Sequence, residues 1–244
     1  MTTHTRSPIP TTVHPARPAR PTTPPARPGR FLTLPGVYAP QYDTGMLARA
    51  LYRERIGDGT SVLDLGTGSG ALAVTAARQG ARVTALDISR RAVLSTRVNA
   101  WLSKQSVTVR RGDMTLEVPS GPYDLVVSNP PYVPSPSPLL PRRGAARAWD
   151  GGPAGRAVVD RVCDAAPGAL RPGGVLLMVH SALCDVDASL ERLAGLGMQP
   201  AVVDRQFIPF GPVMRAREAW LRRRRLIADD ETSEELVVIR AERS

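Results

Sequence analysis

The chain has 244 residues, of which 42% are hydrophobic, and this is enough for one domain with a sizeable core. Its formal net charge of +10 comes from two places: residues 1–30 contribute +5 and residues 215–225 contribute another +5. The rest of the chain has 21 basic and 21 acidic residues, which excludes a fold that is basic throughout and binds nucleic acid by charge alone.

Residues 1–30 are predicted to be a disordered tail, because they contain eight prolines, five arginines, no acid and few apolar side chains. Residues 31–244 are predicted to form a single domain. No apolar run is long enough to span a membrane, so we expect a cytoplasmic protein. Cys163 and Cys184 lack metal-ligand spacing and we expect no metal; His180, at the end of an apolar strand, is expected to be structural.

The first predicted elements are a helix over Asp43–Ile56 and an apolar strand over Val62–Leu65, which runs into the glycine-rich sequence Gly66–Gly70. A helix over Ala71–Gln79 follows. Glycines between a strand and a helix let the backbone approach a ligand closely, so this loop is predicted to bind a nucleotide-like cofactor.

The second predicted strand, Arg82–Asp87, ends in a carboxylate 23 residues after Asp64. This is close to the spacing at which an acid meets ribose hydroxyls in nucleotide-binding units, so Asp87 is the predicted ribose ligand. Ser89 is predicted to cap the next helix, Arg90–Ser103, which would leave the Asp87 carboxylate free.

The third predicted strand, Val107–Arg111, runs into Asp113 and Met114. Asp113 could accept a hydrogen bond from an adenine amine while Met114 covers the ring. An ordinary turn or cap role for Asp113 is the alternative.

A fourth strand, Tyr123–Ser128, ends at Asn129-Pro130-Pro131-Tyr132. The Asn side-chain oxygen and the following Pro130 carbonyl can each accept one N–H of a planar NH2 group, and the Tyr132 ring can stack on that plane. Acceptors that strengthen as positive charge develops on nitrogen favour the transition state of a reaction at that nitrogen over the ground state. A proline-rich turn without chemistry is the alternative.

The remaining elements are predicted to complete a single sheet: helices over Pro153–Leu170 and Asp185–Gly195, separated by a turn at Arg171–Gly174 and a strand over Val175–Val179, then strands over Met198–Asp204 and Leu236–Arg240. An insertion over Phe207–Glu235 is predicted to contain a helix, Met214–Ile227, that carries Arg222–Arg225. This arginine cluster could bind nucleic acid or an acidic protein surface, or it could be solvated and paired with the acids that follow it.

These motifs, in this order, resemble those of class I S-adenosylmethionine-dependent methyltransferases. Within that class the chain is most similar to the HemK-type protein glutamine methyltransferases, on the strength of Val37-Tyr38-Ala39-Pro40, Asp43-Thr44 and Trp149-Asp150-Gly151-Gly152. The resemblance is to the short, archaeal and eukaryotic-like branch, and it covers about residues 31–204 and the last strand.

The resemblance implies an α/β, Rossmann-like sheet of seven strands in the order 3-2-1-4-5-7-6, with the last strand antiparallel and helices on both faces. It also implies S-adenosyl-L-methionine as the cofactor. The implied cofactor-binding residues are Tyr38, Thr44, Asp64, Gly66, Thr67, Gly68, Gly70, Asp87, Ile88, Asp113, Met114 and Asn129, and the implied catalytic residues are Asn129, Pro130, Pro131 and Tyr132.

The function expected from this resemblance is methylation of a glutamine side-chain amide in a protein such as a peptide-chain release factor. The alternative acceptor is an exocyclic base amine, adenine N6 or guanine N2, because it presents the same planar NH2 group. An activating partner subunit, which some members of the family need, is a further expectation.

Overall fold

A computed structural model of the chain describes residues 31–114, 118–119 and 121–244, and the predicted tail lies outside them. The strands are β1 Ser61–Leu65, β2 Arg82–Asp87, β3 Val107–Arg111, β4 Tyr123–Ser128, β5 Leu170–Ser181, β6 Met198–Pro209 and β7 Ser233–Arg243. The helices are α1 Tyr42–Arg53, α2 Ala71–Ala77, α3 Arg90–Leu102, α4 Val159–Ala169, α5 Val186–Gly195 and α6 Pro212–Arg223, with short 3-10 turns at Ala145–Ala148 and Ala182–Cys184.

The described strands form one sheet of seven in the order β3-β2-β1-β4-β5-β7-β6, which confirms the predicted topology. The first five strands are parallel, whereas β7 is antiparallel to both of its neighbours, β5 and β6. The central strands are apolar and buried, as a parallel sheet covered by helices requires. The carboxyl ends of β1, β2 and β4 therefore meet at one edge, which is where ligands bind in open α/β sheets.

The segment ahead of α1, residues 31–41, is held against α3 by side chains of that helix. Asn99 exchanges two hydrogen bonds with the backbone of Leu32, at 2.9 Å from its N–H and 2.8 Å to its carbonyl oxygen. Arg91 donates to the carbonyl of Pro35 at 2.8 Å, and Ser95 accepts from the Leu34 N–H at 3.2 Å. This N-terminal segment thus runs from α3 across the sheet edge to the start of α1.

The two ends of the predicted insertion belong to the sheet. Residues 207–209 pair with residues 233–235, so β6 and β7 form a longer hairpin than predicted and only residues 210–232 project from it. The helix in this region, α6, ends at Arg223, and Arg225 has a φ of 56°. Arg224 and Arg225 therefore lie beyond the helix, contrary to the prediction that it would reach Ile227.

The prediction of a helix from Pro153 was wrong over its first turn and a half, because α4 begins at Val159. Residues 151–157 form a tight loop closed by backbone hydrogen bonds from Gly155 N–H to Gly152 and from Ala157 N–H to Gly151, both at 2.9 Å. The predicted turn at Arg171–Gly174 is a bulge within β5, where the pairing with β4 jumps between Leu170 and Val175.

Candidate active site

A cavity of about 770 Å³ lies at the carboxyl edge of the sheet, in the size range of small-molecule and cofactor sites. Eleven of the predicted site residues line it: Tyr38, Thr44, Gly66, Thr67, Gly68, Asp87, Ile88, Asp113, Met114, Asn129 and Pro131. Four others, Asp64, Gly70, Pro130 and Tyr132, are not part of its lining.

The glycine loop after β1 has a backbone that only glycine adopts easily. Gly66, Gly68 and Gly70 have φ values of 76°, 57° and 81°. A Cβ at Gly68 would have no neighbour closer than 4.0 Å, so this part of the loop is open to the cavity. At Gly70 a Cβ would lie 2.7 Å from the Thr96 side chain and 3.0 Å from its backbone, so this glycine allows close packing of the loop on α3.

Asp64 lies beneath the glycine loop and shapes it, whereas the prediction was direct contact with a cofactor. Its Oδ2 accepts from the Thr67 hydroxyl at 2.6 Å and from the Ala73 N–H, in α2, at 3.1 Å. Complete burial raises the pKa of Asp64 to about 7, although these hydrogen bonds favour the charged form. The carboxyl therefore joins the loop to the helix that follows it.

Asp87 ends β2 at the cavity, but its carboxylate is not free as predicted. Its two oxygens accept from the Gly68 N–H at 3.0 Å and from the Ser89 N–H at 2.8 Å. Ser89 is nevertheless the cap of α3, because its hydroxyl accepts from the Ala92 N–H at 3.4 Å. Burial raises the pKa of Asp87, and each oxygen keeps a second lone pair that can accept from a hydroxyl group in the cavity.

Asn129, at the end of β4, is oriented by a chain of hydrogen bonds from α1. Its Nδ2 donates to the Thr44 hydroxyl at 3.3 Å, and the Thr44 hydroxyl and N–H donate to Asp43 Oδ1 at 3.2 and 2.6 Å. Because its nitrogen is used in this way, the side-chain oxygen of Asn129 is the atom left to accept a hydrogen bond at the cavity. Sequence reasoning placed Asp43 only within a family motif and missed this role.

Asp43 also binds both tyrosines of the site. It is buried, and its Oδ2 accepts from the Tyr38 hydroxyl at 2.8 Å and from the Tyr132 hydroxyl at 3.1 Å. Burial, reinforced by the Asp43 charge, raises the pKa of both tyrosines well above the ordinary value of 10.0, so both stay protonated donors. Tyr132 is only 8% exposed, and its bond to Asp43 supports the end of β4. Stacking of its ring on the acceptor stays a prediction.

We expect Asp43→Ala to lower the free energy of unfolding by about 2–4 kcal/mol, because the buried Tyr132 hydroxyl and the partly buried Tyr38 hydroxyl lose their acceptor. Chemical denaturation of this variant beside Tyr38→Phe and Tyr132→Phe provides the test. Each tyrosine variant removes one donor and leaves Asp43 with its other partners, so each should destabilise less than Asp43→Ala. Equal denaturation midpoints for Asp43→Ala and the wild type would contradict the assignment.

His180, at the end of β5, is fully buried, and its Nδ1 lies 2.8 Å from the Ser181 carbonyl oxygen. Its Nε2 has no hydrogen-bond partner in the part of the chain that the structure describes. Burial lowers the pKa of His180 from 6.5 to about 4, so the ring is neutral near pH 7. It does not line the cavity, and this agrees with the predicted structural role.

A pH dependence of stability follows from His180. Between pH 6.5 and 4 the unfolded chain binds a proton at this residue that the folded chain does not, so the free energy of unfolding falls as the pH falls. Full protonation of His180 in the unfolded chain alone lowers the free energy of unfolding by roughly 3 kcal/mol. Asp64 and Glu234, whose pKa values are raised in the folded chain, instead increase the free energy of unfolding as the pH falls. His180→Asn should lose this part of the dependence, so denaturation of both proteins at pH 7 and pH 4.5 measures it by difference.

Arginines that line the cavity were not predicted from the sequence, because they lie far apart in the chain and only the fold brings them together. Those that line it are Arg90, Arg91, Arg111, Arg142, Arg143, Arg147 and Arg161. The predicted cluster Arg222–Arg225 does not line it, and Arg222 pairs with Glu218 on its own helix at 3.5 Å. The nucleic-acid contact suggested for that cluster has no support at this site.

Two negative findings concern the described residues. Within 31–114, 118–119 and 121–244, no group of three or more His, Cys, Asp or Glu side chains could hold a metal ion. Over the same ranges, no helix is both long enough and apolar enough to cross a membrane.

The chain resembles methyltransferases in its sequence. A family model described as a methyltransferase small domain matches residues 28–137. A provisionally named protein N5-glutamine methyltransferase of Methanocaldococcus jannaschii is 30% identical over 187 residues, 76% of this chain and 92% of that protein. The release factor glutamine methyltransferase of Gloeobacter violaceus is 38% identical, but this match covers 59% of the chain and only about half, 49%, of the relative.

Solved structures share the fold. A chain of the E. cuniculi Mtq2–Trm112 complex, described as responsible for methylating the termination factor eRF1, matches with a TM-score of 0.59 at 26% identity. That match covers 86% of this chain and 99% of the other. The T. thermophilus 16S rRNA N2 G1207 methyltransferase matches at 21% identity with a TM-score of 0.52, over 82% of this chain and 42% of the other, and shows the fold alone.

The strand order, the glycine loop and these matches define the chain as a class I S-adenosylmethionine-dependent methyltransferase. The M. jannaschii relative, matched over nearly its whole length, places it more narrowly. The chain belongs to the protein glutamine methyltransferase family, and this confirms the resemblance drawn from its motifs.

Proposed function

We propose that the chain transfers a methyl group from S-adenosylmethionine to the side-chain amide nitrogen of a glutamine in a protein, with a peptide-chain release factor as the expected substrate. The observation that carries this proposal is the orientation of Asn129. Its amide nitrogen is held by Thr44, and its oxygen is available beside the glycine loop. An acceptor for an N–H group therefore lies next to a site suited to the methyl donor.

The residues around the cavity fit the donor. The open backbone at Gly68 leaves room for the methionine portion, and the remaining lone pairs of Asp87 suit ribose hydroxyls. Asp113 and Met114 line the part of the cavity after β3, where they suit the adenine ring. When bound, S-adenosylmethionine supplies an electrophilic methyl group on a sulfonium centre.

In this proposal the Asn129 side-chain oxygen acts on the acceptor together with the carbonyl of Pro130, which lies in the chain between two lining residues, Asn129 and Pro131. An amide nitrogen is a poor nucleophile because its lone pair is delocalised, and two oxygens that accept its hydrogens orient that lone pair toward the methyl group. These hydrogen bonds strengthen as positive charge develops on nitrogen, so they stabilise the transition state more than the ground state. The other main contribution is positioning of the two reactants within reach of each other.

A protein acceptor is favoured over a base amine by the relatives. The matched bacterial proteins are named release factor glutamine methyltransferases, and the E. cuniculi complex is described as acting on a termination factor. The rRNA methyltransferase shares only the fold, so the base amine remains an outcome to be tested. We further propose a cytoplasmic location, where translation ends, and an activating subunit like that of the two-protein E. cuniculi complex.

Methyl transfer from labelled S-adenosylmethionine tests the proposal. The purified chain, with and without a coexpressed Trm112-like subunit, is incubated with release factor, with the same factor lacking the glutamine of its Gly-Gly-Gln motif, and with total RNA and genomic DNA. Label in the intact factor alone supports the proposed function. Label in nucleic acid, or equal label in the altered factor, would contradict it.

A further inference from the structure

Two backbone segments run side by side next to the cavity, residues 133–135 directly after Tyr132 and residues 149–152. Asp150 lines the cavity from the second segment. Three backbone hydrogen bonds join the segments: Val133 N–H to the Trp149 carbonyl at 2.8 Å, Gly151 N–H to the Val133 carbonyl at 2.9 Å, and Ser135 N–H to the Gly152 carbonyl at 2.9 Å.

Arg217, on α6, contacts both segments at once. Its Nη1 donates to the Pro134 carbonyl oxygen at 2.9 Å, and its Nη2 donates to Asp150 Oδ1 at 2.5 Å. The other carboxylate oxygen of Asp150 accepts from the Ser135 hydroxyl at 3.3 Å. The side chains of Arg217 and Asp150 are only 18% and 8% exposed, so solvent screens this pair weakly.

Helix α6, which carries Arg217, packs through its buried face against apolar residues that flank it in the chain. Phe210, Met214, Leu221 and Ile227 form a small apolar cluster of their own, separate from the main core. Val133, the residue after Tyr132, packs against this cluster. Residues 210–232, which project from the β6–β7 hairpin, therefore pack against the chain directly after Tyr132, close to where the methyl acceptor is proposed to bind.

We propose that Arg217 is a positioning residue for the methyl acceptor. By binding Pro134 and Asp150 together, it fixes the distance between residues 133–135, which follow Asn129 and Pro131 in the chain, and residues 149–152. It also neutralises a carboxylate that faces the cavity. This inference rests on the proposed function and deepens it, since it makes α6 part of acceptor recognition. Loss of the guanidinium should leave Asp150 as a mostly buried charge without its ion-pair partner, and it should let residues 133–135 and 149–152 move relative to each other.

The test uses Arg217→Met, Arg217→Lys and a matched control, Arg223→Met, an exposed arginine at the end of the same helix. Lysine keeps the charge but lacks the fork that reaches two acceptors. Three quantities are measured: the Kd for S-adenosylmethionine by calorimetry, kcat and KM for a glutamine-bearing acceptor, and hydrogen exchange at the amides of Val133, Ser135 and Gly151.

We expect Arg217→Met to lower kcat/KM for the acceptor by about tenfold or more, with the cofactor Kd changed less than about twofold. The three amides should exchange faster, while those of β1 and β4 are unchanged. Arg217→Lys should unfold at nearly the wild-type temperature yet keep most of the loss in kcat/KM, and Arg223→Met should match the wild type.

Acceptor kinetics within twofold of wild type in both Arg217 variants would overturn the proposal, as would an equal loss of cofactor binding, which indicates a general structural role. A wild-type protein that methylates no glutamine acceptor would instead refute the proposed function. In that case unchanged exchange at the three amides in Arg217→Met overturns the positioning role, and faster exchange confined to them supports it.

Discussion

Asn129→Ala is expected to reduce turnover by about a hundredfold or more, the scale on which removal of one preorganised hydrogen-bonding group acts. The physical reason is that the Asn129 oxygen accepts from the attacking amide nitrogen just as positive charge develops there. Loss of this hydrogen bond therefore raises the free energy of the transition state much more than that of the bound ground state. Single-turnover methyl transfer with saturating acceptor measures the loss directly.

Binding and stability serve as internal controls for Asn129→Ala. Within the described residues, the Asn129 side chain makes one long hydrogen bond, 3.3 Å to the Thr44 hydroxyl, so the variant should unfold within a few degrees of the wild type. The Kd for S-adenosylmethionine should change less than about threefold, because the glycine loop and Asp87 are untouched. Turnover equal to the wild type would remove Asn129 from the mechanism.

Gly70→Ala is expected to lower the free energy of unfolding by about 2–4 kcal/mol and to weaken cofactor binding. Two effects add: a non-glycine residue at a φ of 81° is strained, and the new Cβ would lie 2.7 Å from the Thr96 side chain and 3.0 Å from its backbone. Helix α3 or the glycine loop must then move. Denaturant unfolding and calorimetric titration with S-adenosylmethionine measure the two consequences.

Gly59→Ala is the matched control for Gly70→Ala. Gly59 has a φ of 87°, so alanine there meets the same backbone strain, but no atom lies within 4 Å of the new Cβ. Gly59→Ala should lower the free energy of unfolding by about 1 kcal/mol and leave cofactor binding unchanged. If the two variants lose equal stability, the contact with Thr96 contributes nothing and the role assigned to Gly70 is wrong.

Strands β2, β3 and β4 were predicted from sequence with the bounds that the structure shows, because each is a short run with valines that ends at a polar residue. The glycine loop and Asp87 were predictable for a similar reason, since strand, loop and helix follow one another in the chain. The positions of cavity residues beside β1, β2 and β4 then follow from the parallel order of the sheet.

Contacts between distant parts of the chain could not be predicted in this way. Tyr132 binds Asp43 across 89 positions, and Arg217 binds Asp150 across 67. Nothing in the local sequence distinguishes Asp43 from an ordinary helix N-terminal acid or Arg217 from its neighbours on α6. The bulge in β5 escaped prediction because pairing with β4, and not residue preference, extends that strand back to Leu170. The loop before α4 escaped prediction because backbone hydrogen bonds within residues 151–157 replace the helical ones.

The N-terminal segment, residues 31–41, has a consequence for how this enzyme can be handled. Through Asn99, Ser95 and Arg91 it is fastened to the helix that follows Asp87, and through Tyr38 it reaches the carboxylate that serves Tyr132 and Thr44. Residues ahead of α1 thus connect α3, which follows Asp87, with Asp43, which orients the residues around Asn129. A recombinant version trimmed to begin at α1 would keep every described strand of the sheet and lose the segment that joins α3 to Asp43. A minimal catalytic unit therefore has to include residues 32–41.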